Sequence, residues 1–191
     1  MSELTGRARA YIIAVWIAAA GILIGYAFLQ RIADFGVLLM LCALGALAQI
    51  FRVRGATESS SYELNWVIYG FALVTYGGLT TIIIAIVGYI AEFLWRREPW
   101  YIYAFNCGAY VLTVVAADLA RMFITGGLPA NEWRHIAGVI AAIGVFTLLN
   151  HLLVGIVLWL ARGEKLRVSG VFNRLTIFLD LALIGLGAAG A

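Results

Sequence analysis

The sequence predicts an all-α, polytopic transmembrane helical bundle, and three observations carry that class. The chain is 64% hydrophobic and 12% charged over 191 residues, with a mean hydropathy of +0.99, too few polar residues to cover a soluble globule. Apolar stretches of roughly the 20 residues that a spanning helix needs recur between short polar breaks. Threaded through a bilayer, these stretches put most of the lysine and arginine on one side, the bias of cytoplasmic loops.

Five spans follow directly from the hydropathy: about 10–29, 35–51, 100–124, 135–161 and 172–190. The stretch from Asn65 to Trp95 is too long for one crossing and short for two. Adjacent glycines each weaken a helix by about 1 kcal/mol relative to alanine, so Gly77 and Gly78 predict a turn between a short third span, 65–76, and a fourth, 79–95. The alternative is a single tilted helix.

Charge decides between the two. With seven spans and a cytoplasmic N-terminus, Arg7, Arg9, Arg52, Arg54, Arg96, Arg97, Arg162, Lys165, Arg167 and Arg174 are inside, ten of the thirteen Lys and Arg. Arg31, Arg121 and Arg134 fall outside, whereas six spans split the thirteen residues six against seven and lose the bias. Seven spans put the C-terminus outside. Trp66, Trp95, Trp100, Trp133 and Trp159 then fall near span ends, where amphipathic rings prefer the headgroup layer. The first span is too long for a signal-peptide core and reads as a retained anchor.

Nothing in the sequence points to catalysis. There is no phosphate loop, nucleophile elbow or paired-carboxylate constellation, and the basic residues sit in pairs at helix ends rather than in a patch that reads nucleic acid. Cys42 and Cys107 read as small buried hydrophobes, and the solitary His135 and His151 do not make a metal site. The expectation is a non-enzyme with no cofactor and no nucleic-acid partner, whose partners are the lipid bilayer and either another protein or a second copy of itself.

Ionisable residues inside spans are the functional lead, because each costs roughly 2.5–3.5 kcal/mol at a helix centre on insertion scales. Glu92 stands four residues before Arg96, and Asp118 three before Arg121, spacings that put each pair on one helix face as structural ion pairs. Asn106, Asn150, His151 and Asp180 lie deeper. At about 1.5 Å per residue, His151 is roughly 16 Å above Arg162 and Asp180 roughly 9 Å above Arg174, a difference that two side chains can bridge. The expectation is that His151 and Asp180 share a hydrogen bond or line a polar cavity, and that Glu92, Asn106, Asn150, His151 and Asp180 form the candidate ligand site. Close helix packing is expected at Gly21 and Gly25 in the first span and at Gly185 and Ala189 in the seventh, two small-xxx-small stripes that serve internal packing or a dimer.

The run LCALGALAQIFRVRGATESSSYELNWVIYGFALVTYGG, followed by GYIAEFLWRREPWYIYAFNCGAYVL, resembles the multi-span N-terminal region of bacterial membrane-anchored signalling proteins with an HD-GYP phosphohydrolase or GGDEF cyclase as cytoplasmic output. The resemblance rests on Ser59 to Ser61, Gly77 and Gly78, Glu92, the Arg96-Arg97-Glu98-Pro99-Trp100 loop, the Phe105-Asn106 pair, and Asn150 with the segment after it. An acidic residue common near the end of the family's second span is Gln49 here. The resemblance implies a sensory input module in a bacterial inner membrane, and no HD-GYP or GGDEF motif stands in these residues. The chain would then be the membrane half of a longer protein, or a stand-alone homologue acting through partners. Two other classes fit the composition: a substrate-binding subunit of a vitamin-type transporter, suggested by the glycine-broken helix, and an accessory subunit of a larger membrane complex.

Overall fold

The computed structural model describes residues 4–28, 30, 32–51, 53–54, 61–62, 64–97, 99–126, 132–163 and 171–191. Seven helices are present among them: α1 Gly6–Ala27, α2 Phe35–Ile50, α3 Asn65–Tyr76, α4 Gly78–Arg96, α5 Trp100–Thr125, α6 Glu132–Arg162 and α7 Arg174–Ala189. Between α2 and α3, strands β1 Val53–Arg54 and β2 Ser61–Tyr62 pair antiparallel, Val53 opposite Tyr62. The polar stretch 52–64 thus contains a minimal hairpin that hydropathy did not signal. Helices α1, α4, α5 and α6 are long and apolar enough to cross a membrane, and α2 is apolar but shorter, at 16 residues.

Local chemistry sets the helix ends. Thr5, Asp34 and Asn173 each accept a hydrogen bond from a backbone N–H of the helix they precede, at Ala8, Gly36 and Leu175 respectively. Gly126, with φ 69°, closes α5 in the left-handed region open to glycine. The 65–95 stretch is two helices, broken at Gly77 with φ 84° and ψ 177°, a conformation that a β-carbon disfavours. Gly78 meets a separate demand. A β-carbon there would run into the Tyr26 hydroxyl and come within 3.2 Å of Asp118 Cβ, so the start of α4 closes directly onto α1 and α5.

The interior joins the helices through aromatic rings and small residues. Tyr110 on α5 stands edge-on to Tyr69 of α3, Tyr89 of α4 and Phe146 of α6, with centroids 5.4, 5.3 and 5.8 Å away, and Trp66 of α3 continues the chain to Phe146 at 5.0 Å. Trp66 is therefore a core residue, 3% exposed, and not the interfacial ring that its place near a span end suggests. Trp95, Trp100, Trp133 and Trp159 are exposed at helix ends.

Backbones approach most closely where α3 crosses α7. A β-carbon on Gly70 would strike the Ile184 carbonyl, and one on Gly187 would strike that of Val67. Gly21 and Gly25 of α1 face outward with nothing near them, and Gly185 likewise has open space. The close-packing glycine of α7 is two residues beyond the one that the small-xxx-small pattern selects.

Polarity is distributed inside out. Ile17, Phe28, Phe35, Leu94, Phe123 and Ile140 are among many large apolar residues exposed on the outside, while Gln49, Asn65, Thr80, Thr81, Glu92, Asp118 and His151 are buried. Water as the outer medium would penalise both halves of that arrangement.

Gly187→Val is expected to lower stability by about 1–3 kcal/mol, the usual cost of overpacking, while Gly21→Ala and Gly25→Ala stay within about 0.5 kcal/mol of the parent. Unfolding of the purified protein in detergent micelles measures all three. A Gly187→Val protein that unfolds with the parent would show that α3 and α7 do not meet at this point.

Candidate functional site

Three polar contacts cross the apolar interior, and each is organised by a buried ionisable side chain. The first lies near the C-terminal end of α4. Glu92 is 1% exposed, with Arg96 Nε 3.4 Å from its Oε1 one turn along the helix. Its Oε2 accepts a 2.7 Å hydrogen bond from Gln49 Nε2 on α2. The Gln49 Oε1 in turn accepts from Asn65 Nδ2 on α3, which also donates to the Tyr69 hydroxyl at 3.1 Å. One carboxylate thus fixes the mutual placement of α2, α3 and α4.

The second lies at the other end of α4. Asp118 of α5 is fully buried, and its Oδ1 takes two bonds from Arg121, at 3.0 Å from Nε and 2.7 Å from Nη2. Its Oδ2 accepts from the Tyr26 hydroxyl of α1 and, at 3.3 Å, from the backbone N–H of Gly78. Helix α4 has no cap of its own, so a carboxylate from another helix sits at its N-terminus, where the helix dipole favours negative charge. Thr80 joins the same end to the α1–α2 connection by accepting from the Ala33 N–H at 3.2 Å.

The third joins α6 to α7. His151, 3% exposed, places Nδ1 2.8 Å from the Thr147 carbonyl oxygen and Nε2 3.3 Å from Asp180 Oδ2. The rings of Trp66 and Phe172 flank it at centroid distances of 6.3 and 6.2 Å. On the same stretch of α6, Thr147 Oγ1 and Asn150 Oδ1 are buried without a hydrogen-bond partner.

Of the five candidate site residues, the structure brings His151 and Asp180 together and places the buried Asn150 beside them in sequence. Glu92 bonds instead within the α2–α3–α4 contact. Asn106 is half-buried on α5; Tyr110 against Phe146 and Gly138 over Arg121 fix an antiparallel register that sets it at about the height of Asn150. Sequence reasoning missed Asn65, Tyr69, Tyr26 and Thr80 as participants, and treated Gln49 as a lost acidic position rather than a donor. Polar residues within apolar spans are themselves a signal, but a neutral side chain carries no spacing rule that names its partner.

These contacts set carboxylates against nitrogen donors on their own or neighbouring helices. No group of three or more His, Cys, Asp or Glu side chains able to hold a metal ion occurs among the described residues. A groove of about 460 Å³ between α1 and α5, lined by Trp16, Ala19, Leu23, Ala104 and Gly108 among others, is almost wholly apolar. No protein-family model, no curated protein and no solved structure matches the chain.

Asp118→Leu is expected to cost about 3–5 kcal/mol, because it strands Arg121, Tyr26 and the Gly78 N–H in an apolar interior. Asp118→Asn keeps an acceptor and should cost about 1–3 kcal/mol. Denaturant unfolding in micelles compares them, and equal losses for the two variants would rule out the capping role of the carboxylate.

Proposed function

We propose that the chain is a non-catalytic sensory module of a bacterial inner membrane, spanning it seven times with the N-terminus inside and the C-terminus outside. Its output is a change of helix packing, passed to an appended or bound cytoplasmic signalling protein. The observation that carries the reading is the His151–Asp180 contact: a buried imidazole and a partly buried carboxylate that join two helices beside two polar atoms with unused bonding capacity. A contact that can be made or broken gives a ligand two packings to choose between, which any ligand-driven change requires. The inside-out polarity supports the membrane setting, and the ten-to-three division of basic residues supports the orientation. The resemblance to the input regions of HD-GYP and GGDEF signalling proteins agrees in kind.

A transporter reading would use the break at Gly77 to present a helix N-terminus to a substrate. Here the N-terminus of α4 already holds Asp118, and the groove between α1 and α5 offers a polar vitamin almost no polar partner.

Orientation is tested by single cysteines in place of Arg97 and Ala191, labelled with a membrane-impermeant maleimide. Position 191 should react in intact cells and position 97 only in inverted vesicles; reaction of both from one side would overturn seven spans. The function is tested by gentle purification from native membranes followed by mass spectrometry. A cytoplasmic signalling enzyme in the same chain or in stoichiometric complex is the expected result. A stoichiometric transport ATPase, or the subunits of a respiratory or photosynthetic complex, would replace the sensory reading.

A further inference from the structure

We propose that Asn106 and Asn150 form a binding site for a small neutral molecule with an apolar, aromatic body and a carboxamide-like group that both donates and accepts a hydrogen bond. The inference deepens the sensory reading by naming the chemical class of its ligand, and it rests on that reading for the signal that binding sends. The site itself rests on helix geometry and on where hydrogen bonds go.

The geometry follows from one ring contact. Tyr110 of α5 and Phe146 of α6 meet edge to face with centroids 5.8 Å apart, and the two helices run antiparallel, since Gly138 of α6 lies over Arg121 of α5. One turn toward the start of α5 is therefore one turn toward the end of α6. The residues there are Asn106, four before Tyr110, and Asn150, four after Phe146. A spacing of four keeps each on the face of its helix that holds the ring. Two carboxamides thus stand opposite each other across the α5–α6 seam. Trp66 of α3 covers the same place from a third helix: its ring packs on Phe146 at 5.0 Å and on His151 at 6.3 Å, the residues that bracket Asn150.

Asn150 is 9% exposed, and its Oδ1 has no hydrogen-bond partner, so the amide of Asn106 opposite does not donate to it. Thr147, 1% exposed and one turn earlier on α6, has an Oγ1 in the same condition. A buried polar atom without a partner is costly, and within a bilayer no bulk water relieves it. The atoms on offer define what fits. Oδ1 of Asn150 only accepts, so the ligand brings an N–H; the Asn106 amide and the Thr147 hydroxyl can donate, so a ligand carbonyl is met as well. A carboxamide has both in one planar group. A charged ligand is disfavoured, because Glu92, Asp118 and Asp180 already face Arg96, Arg121 and His151, and a buried ion without its own counter-charge is far costlier than a neutral group. The rings of Trp66, Tyr110 and Phe146 frame the pair, a largely apolar lining with few polar groups whose edge-on packing suits an aromatic body. Asn106, half-buried, is the more accessible of the two amides and marks the side of entry.

The test uses the full chain in lipid nanodiscs, with its five asparagines labelled with nitrogen-15 at the side-chain amide, and titrates three probes of similar size: benzamide, benzoate and toluene. The resonances of Asn106 and Asn150, assigned by their loss in Asn106→Leu and Asn150→Leu, should shift to saturation with benzamide while those of the other three stay in place. Benzamide should act at about a tenth of the concentration that benzoate or toluene needs, the ratio that two hydrogen bonds readily supply. No shift of these two resonances with benzamide, or an equal response to all three probes, overturns the site. Without any probe, Asn150→Leu should unfold at or above the midpoint of the parent, since it removes a buried oxygen that has no partner. A clear fall would show that ordered water already satisfies that oxygen, and would overturn the site too. The titration needs no partner protein. Benzamide binding at this pair together with a transport ATPase as companion would keep the ligand class and dismiss the sensory reading; a signalling companion with no response to benzamide would keep the sensory reading and dismiss the ligand class.

Discussion

A carboxylate buried in an apolar interior obliges its surroundings to provide partners, and the arrangement of the bundle follows from where those partners stand. Glu92 and Asp118 lie near opposite ends of α4, and between them they enlist α1, α2, α3 and α5. His151 and Asp180 bring in α6 and α7. Every helix therefore contributes to at least one ionisable contact. In a medium without water the hydrophobic effect says little about which helix packs against which, since lipid tails are as apolar as leucine side chains. Specific polar contacts and close backbone approach have to supply that information. The crossing at Gly70 and Gly187 does so for α3 and α7, and the three contacts do so for the rest.

The break at Gly77 shows how the constraint reaches back into the sequence. Ending α3 there exposes the first N–H groups of α4, which without water would remain unsatisfied at several kcal/mol each. Asp118 takes one of them, the Thr81 hydroxyl satisfies the Gly77 carbonyl at 3.1 Å, and the helix dipole stabilises the charge that does the capping. Arg121 and Tyr26 complete the carboxylate's four bonds. Glycine at 78 lets all of this fit, because the Tyr26 ring occupies the space where a side chain would stand.

Element positions were legible in the sequence because length and hydropathy report them directly. The break inside 65–95 was legible because two adjacent glycines are costly in a helix. Residue pairs within one helix were legible as well: a spacing of three or four fixes the geometry wherever the helix lies, and Glu92 with Arg96 and Asp118 with Arg121 stand in contact. What the sequence withheld is the rotation of each helix about its axis. The end of α7 carries Gly185, Gly187, Ala188 and Ala189 close together, so several faces look equally suited to close packing, and the one used contains Gly187 rather than Gly185. Trp66 misled for the same reason: nearness to a span end predicts depth, but only rotation decides whether the ring meets lipid or Phe146. Gln49, Asn65 and Tyr26 find partners on other helices, 43, 16 and 92 residues away in sequence, and no local pattern encodes those distances.

The three contacts differ in the kind of partner that each carboxylate has. Asp118 faces a guanidinium through two short bonds as well as a helix terminus, and arginine does not deprotonate in proteins, so its partners are constant across any physiological pH. Glu92 has the same kind of cationic neighbour in Arg96 and a neutral amide donor in Gln49. The His151–Asp180 contact alone among the three sets a carboxylate against an imidazole, with no guanidinium beside it. It also joins α7, one of the shorter helices at 16 residues, and it lies beside the unpartnered Thr147 and Asn150 side-chain oxygens. The bundle is thus pinned at both ends of α4 by buried carboxylates, and α7 is held twice, by its close crossing with α3 at Gly70 and Gly187 and by the His151–Asp180 contact to α6.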